Sequence, residues 1–176
     1  EKNPKYWDAA SVVLTKVTFL PVEDGNADVK LFQSGENDYV YQLPPGTYEP
    51  LKASNPKEIK NGPMLGLRFY VINNNDPVMK DVRVRKALSM VIDRDSLAKK
   101  VTADGQGPAY GVVVKGVSGA DVTAYEWSTW PMDKRVAEAR KLLAEAGLKP
   151  GAKIKFTYNT SEYHKKMAIF AASEWK

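Results

Sequence analysis

The stretch Met64–Asn73 (MLGLRFYVIN) is a nearly continuous apolar run, fenced by Gly62-Pro63 on one side and Asn73-Asn74-Asn75 on the other. It is far shorter than the ~18 apolar residues that a membrane helix takes. It does not alternate, so it suits a strand covered on both faces. Other elements must then lie on either side of it, which steers the chain away from an all-helical body.

The rest of the chain supplies those elements. Val12–Leu20 is rich in β-branched residues and is expected to be a strand, closed by Pro21 and the Glu23-Asp24-Gly25-Asn26 cluster. Shorter strands are expected at Asp38–Leu43, Tyr110–Lys115 and Lys153–Tyr158. Short helices are expected over Ala27–Gln33, stopped by Gly35, and over Tyr48–Ala53, stopped before Pro56. Val84, Ala87, Leu88 and Val91 fall at i, i+3, i+4 and i+7, one face of a helix with Asp81 placed to cap it. Asp95 is placed to cap a second helix through Val101. Met132, Val136, Ala139, Leu143 and Ala146 line one face of a helix that Gly147 stops. Ser161 is placed to cap a last helix, with Tyr163, Met167, Phe170, Ala171 and Glu174 on one face. Strands and helices mix without strict alternation, which predicts an α/β (mixed α+β) architecture. The long connection 103–131, with its many glycines, is expected to be functional or held against a partner element, with Trp127 and Trp130 as anchors.

Chemistry is bounded mainly by scarcity. The chain has 176 residues, no cysteine and one histidine, His164, which rules out disulfides and makes a metal site a poor fit. Residues 1–67 carry seven Lys and nine Asp/Glu, for −2; residues 68–176 carry nineteen Lys/Arg and twelve Asp/Glu, for +7. The basic residues alternate with acids, as at Lys134, Arg135, Glu138, Arg140, Lys141 and Glu145. They read as a solvated helix surface, and the aromatics are not interleaved as nucleic-acid stacking platforms would be. No G-x-S-x-G elbow and no phosphate loop appears, and Asp93 and Asp95 sit at a helix junction, so neither an enzyme nor a nucleic-acid binder is expected. The opening residues read like protein interior and the last helix pattern has no stop signal, so the chain is expected to be cut from something longer at both ends.

The string DVRVRKALSMVIDR at Asp81–Arg94 resembles the helix signature D-x-R-x-R-x-A-x-x-x-x-I-D-R of extracellular solute-binding proteins, family 5, that serve peptide ABC transporters. NPKYWD at Asn3–Asp8, GPAY at Gly107–Tyr110, EWSTWPMDKRVAEARKLLAEAG at Glu126–Gly147 and YNTSEYHKKMAIFAASEWK at Tyr158–Lys176 extend the likeness, in the family's order, to its oligopeptide-binding branch. Taken singly, each segment has a plain explanation: surface arginines at Arg83, Arg85 and Arg94, and a capping and ion-pairing junction at Asp93-Arg94-Asp95.

The resemblance implies a periplasmic-binding-protein type II-like fold, with portions of two lobes joined by a crossover strand. Residues 1–68 would end the first lobe and residues 69–176 begin the second. It implies an oligopeptide ligand held between the lobes and delivered to membrane permease subunits of an ABC transporter. It also implies no cofactor and no nucleic acid, a monomer when intact, and a periplasmic location, or a lipid anchor where no outer membrane exists. A murein-peptide- or dipeptide-binding relative is the alternative within the family.

Five residues fall on the family's ligand positions. Tyr41 either lines a side-chain pocket or packs under its lobe. Phe69 stands where relatives often have tyrosine, which leaves an apolar contact only. Met64 and Val71 are either pocket or core, and Val71 replaces a glutamate of some relatives. Thr102 replaces a lysine that pairs with a peptide carboxylate, leaving a hydroxyl without charge. Gly66 falls where an occasional family disulfide has a cysteine.

Overall fold

The computed structural model describes residues 1–62 and 64–176. It holds two compact units, Glu1–Leu43 and Pro44–Lys176.

The first unit contains one helix, α1 (Gly25–Ser34). Its ends are fixed locally. Asp24 accepts the Ala27 N–H at 2.9 Å, and Gly35, at φ 80°, returns its own N–H to Leu31 and Phe32 carbonyls. Asn37 ties the following loop back by donating to Asp28 Oδ1 at 2.8 Å. No residue of this unit is buried.

The second unit holds α2 (Tyr48–Ser54), α3 (Val82–Met90), α4 (Arg94–Ser96), α5 (Met132–Glu145) and α6 (Glu162–Glu174). A π-type turn at Leu97–Thr102 prolongs α4, and a 3₁₀ turn at Glu126–Thr129 precedes α5. The core lies where α3 meets α5, with Val84, Ala87, Leu88, Met90 and Ile92 buried from one side and Ala139 from the other. Burying a Val, Leu, Ile or Met side chain stabilises by about 1.5–3 kcal/mol. α6 closes against the end of α3: Trp175 Nε1 donates to Leu88 O at 3.0 Å, and Asp93 N–H donates to Glu174 at 3.0 Å.

Several expectations need correction. Among the described residues no ladder pairs Val12–Leu20, Asp38–Leu43, Met64–Asn73, Tyr110–Lys115 or Lys153–Tyr158. Propensity and apolar pattern favour a strand, but a ladder also needs a neighbour to take its N–H and C=O groups. Met64–Asn73 is covered on one side only. Asp93, not Asp95, caps α4, accepting the Ser96 N–H at 3.0 Å. Asp95 instead takes Lys99 Nζ at 2.9 Å and the Tyr110 hydroxyl at 3.1 Å. Ser161 sits at the N-cap of α6 but its side chain makes no capping bond.

Arg135 is not a surface cation either. It is buried, and it donates to the carbonyls of Trp130 (2.9 Å) and Ser128 (2.7 Å). With Arg94 it brackets an aromatic group. Arg94 lies 4.8 Å and Arg135 5.6 Å from the Trp127 ring centre, and both also face Tyr110. Tyr125 stacks on Trp127 at 5.0 Å. Neither arginine has a carboxylate partner among the described residues; burial pulls the Arg94 guanidinium below its ordinary pKa. This cluster fastens the connection 103–131, as its tryptophans suggested. A side chain on Gly111 would collide with the Thr123 carbonyl, so glycine lets the connection double back, and Tyr125 N–H then reaches Tyr110 O at 2.9 Å.

Candidate functional site

The ribbon Met64–Asn73 runs past α6, and over residues 69–72 alternate residues take opposite roles. Tyr70 and Ile72 are half-buried, whereas Phe69 is 72% and Val71 85% exposed. Three contacts explain this. The Tyr70 hydroxyl donates to Met167 O on α6 at 3.1 Å. The Tyr70 ring meets Phe156 edge-on at 5.2 Å and Trp175 at 6.4 Å, an aromatic trio closed by Phe156–Trp175 at 5.9 Å. Arg68 lies over the Tyr163 ring at 4.3 Å. Burial, helped by the nearby Tyr163, pushes the Tyr70 phenol up to about 12. Over residues 69–72, Tyr70 and Ile72 are therefore held inward, and Phe69 and Val71 present an apolar face.

Met64 lies on the same ribbon and is exposed, as is the adjoining Leu65. Tyr41 is 85% exposed and belongs to the unit Glu1–Leu43. Thr102 behaves differently. It is buried at the end of the π-type turn, and its hydroxyl donates to Ala98 O at 3.1 Å. The chain then reverses through Ala103 at φ 46°, an uncommon conformation for a residue with a side chain. Beside this turn is an open hollow of about 220 Å³, lined by Glu49, Ala98, Lys99, Ala103, Gly105 and Gln106. Its one lysine, Lys99, is engaged by Asp95.

Behind the turn, the Tyr163 hydroxyl donates to Asp104 Oδ2 at 3.1 Å, which also accepts Gln106 Nε2 at 2.7 Å. Burial, then the Asp104 charge, raises the Tyr163 phenol, so it stays protonated as the donor. The sequence marked Tyr163 only as one residue of a helix face. Its partners lie 59 and 95 positions away in the chain, and no local signal announces them. Among the described residues no group of three His, Asp or Glu is placed to hold a metal ion. The ribbon offers exposed apolar side chains, and the hollow adds the charged Glu49 and Lys99.

The family profile described as "Bacterial extracellular solute-binding proteins, family 5 Middle" matches residues 1–176. The periplasmic oligopeptide-binding protein OppA of Salmonella typhimurium is 42% identical over 179 aligned residues, covering 100% of this chain and 33% of that protein. The chain thus spans about a third of the length of the curated relatives it matches. Among solved structures, Burkholderia pseudomallei OppA matches with TM-score 0.90 and 43% identity, over 98% of this chain and 35% of that one. The Escherichia coli murein tripeptide-binding protein MppA matches at 37% identity over 97% of this chain and 34% of its own, with TM-score 0.89. Its unliganded open form matches over the same shares with TM-score 0.66.

Proposed function

We propose a peptide-capturing role from one premise: the chain belongs to the bacterial extracellular solute-binding proteins, family 5. It acts as part of a longer periplasmic protein that takes up oligopeptides and hands them to an ABC transporter for import. The observation that carries this is the likeness to oligopeptide-binding OppA along the whole chain, at 42% identity. No catalytic step is involved. Murein peptides are the second ligand class, favoured by the match to MppA.

The lobes divide near Arg68 and Phe69, with residues 1–68 in one and 69–176 in the other. The two MppA structures support a movable join within this stretch, without locating it, because one sequence over one coverage scores 0.89 in one form and 0.66 in the other. The stretch of MppA equivalent to this chain therefore has two internal arrangements. The ribbon Phe69–Asn73 is the crossover.

Tyr41, Met64, Phe69 and Val71 contact the peptide. Their exposure supports this, since each leaves an apolar surface that a guest can cover. A peptide's backbone is common to all sequences, so strand-like hydrogen bonds to it give affinity without sequence choice. Apolar walls and water then accept varied side chains. Thr102 contributes neutrality: with its proton given to Ala98, it offers no charge to a peptide carboxylate.

The test is calorimetry and thermal melting of the intact gene product with trialanine, tetraalanine and pentaalanine, against free alanine. At least one peptide should raise the melting temperature saturably, by about 2.7 kcal/mol of stabilisation at a hundredfold excess over Kd. Silence from all three peptides would sink the proposal.

A further inference from the structure

We propose that Tyr163 is a positioning residue with two separable jobs: its ring seats the Met64–Asn73 ribbon through Arg68, and its hydroxyl sets the turn after Thr102 through Asp104. This rests on the peptide-capturing function proposed above, because the ribbon carries its contact residues Met64, Phe69 and Val71.

Tyr163 is suited to be a fixed point. It lies in the first turn of α6, is 5% exposed, and has nowhere to swing. The ring reaches the ribbon. Arg68 stacks on it at 4.3 Å and forms no ion pair among the described residues, so the ring face is its principal attachment. Arg68 directly precedes Phe69. Holding Arg68 toward α6, together with Tyr70 on Met167, forces Phe69 and Val71 to the opposite side. Loss of that hold frees the ribbon to roll, and its apolar face turns with it.

The hydroxyl reaches the turn. Ala103 and Gly105 both adopt positive φ, at 46° and 84°, a costly conformation for alanine, so the reversal needs a hold from outside. Asp104 sits between them. One of its oxygens takes the Tyr163 and Gln106 donors; the other is buried without a donor. Among the described residues the carboxylate is therefore held by a single oxygen, and Tyr163 is one of two groups holding it. The same turn places Ala103, Gly105 and Gln106 at the rim of the hollow. A residue that merely filled the core would do so equally well without its hydroxyl.

Two variants separate the jobs. In the intact gene product, Tyr163→Phe keeps the ring and loses the hydroxyl, while Tyr163→Leu loses both and keeps an apolar filler. Methyl NMR without peptide gives the first readout. Tyr163→Phe should lower the order parameter of the Ala103 methyl and leave the Val71 methyls unchanged; Tyr163→Leu should lower both. Equal responses of both probes to both variants overturn the assignment. Titration with trialanine and tetraalanine gives the second. Tyr163→Phe should change the ratio of the two Kd values by about threefold or more, because only the turn has moved. An unchanged ratio also overturns it, since a loss of general stability weakens both peptides alike. If the unaltered protein binds neither peptide, the ligand proposal fails, and the methyl probes still decide whether Tyr163 does both jobs.

Discussion

The two compact units differ in what holds them. Pro44–Lys176 encloses every buried side chain, with Met90 at 0% exposure. Glu1–Leu43 encloses none and is fixed by helix caps and turns, leaving Trp7, Val13 and Phe19 each more than four-fifths exposed. Their charges differ too. The first unit carries four Lys and seven acids, the second twenty-two basic and fourteen acidic residues, so one is −3 and the other +8. The lesson is that an apolar sequence does not make a core by itself. Val12–Leu20 is as apolar as α3, yet only α3 has a second helix facing it.

Three substitutions in the 176-residue chain probe this contrast, each read by urea unfolding. Met90→Ala should have the largest effect, lowering the stability of Pro44–Lys176 by about 2–5 kcal/mol, because a buried cavity opens where α3 meets α5. A loss below about 1 kcal/mol would mean that the core there is loose.

Tyr70→Phe comes next, at about 1 kcal/mol near neutral pH, for the lost bond to Met167 O. Its pH dependence has a definite sign. The folded phenol titrates at about 12 against 10.0 in the unfolded chain, so the folded state keeps the proton longer. Stability is fully present below pH 10 and falls as pH rises toward 12. Tyr70→Phe removes that fall, so the gap between the two proteins should narrow from pH 8 to pH 11. A constant gap would mean that the phenol titrates normally.

Val13→Ser should do least, within about 0.5 kcal/mol, since the side chain touches little in this chain. A cost comparable to that of Met90→Ala would break the comparison and show a core in the first unit.

The helices were legible because their signals are local. Gly35 for α1, Asp81 for α3 and Gly147 for α5 lie within a turn of what they cap. The strands were half legible: their patterns sit in the sequence, but their hydrogen-bond partners do not. Asp93 displaced Asp95 as a cap because both offer a carboxylate and only backbone geometry chooses. Arg135 misled because its alternation with acids looks like a solvated face, while its destination depends on a tryptophan eight positions earlier and the fold of a long connection. The ribbon's apolar content was plain in sequence. Which of its residues face outward depends on α6, nearly a hundred residues on.

The bracket of Arg94 and Arg135 around Trp127 has a consequence for acid. Pairs such as Arg83–Asp81 and Lys99–Asp95 come apart once their carboxylates take up protons. Guanidinium groups held by ring faces and main-chain carbonyls have no such weak member, and dissolved ions compete poorly for a sheltered π surface. As acidity rises, the outer electrostatic ties let go in turn, while the Trp127 end of the connection stays fastened.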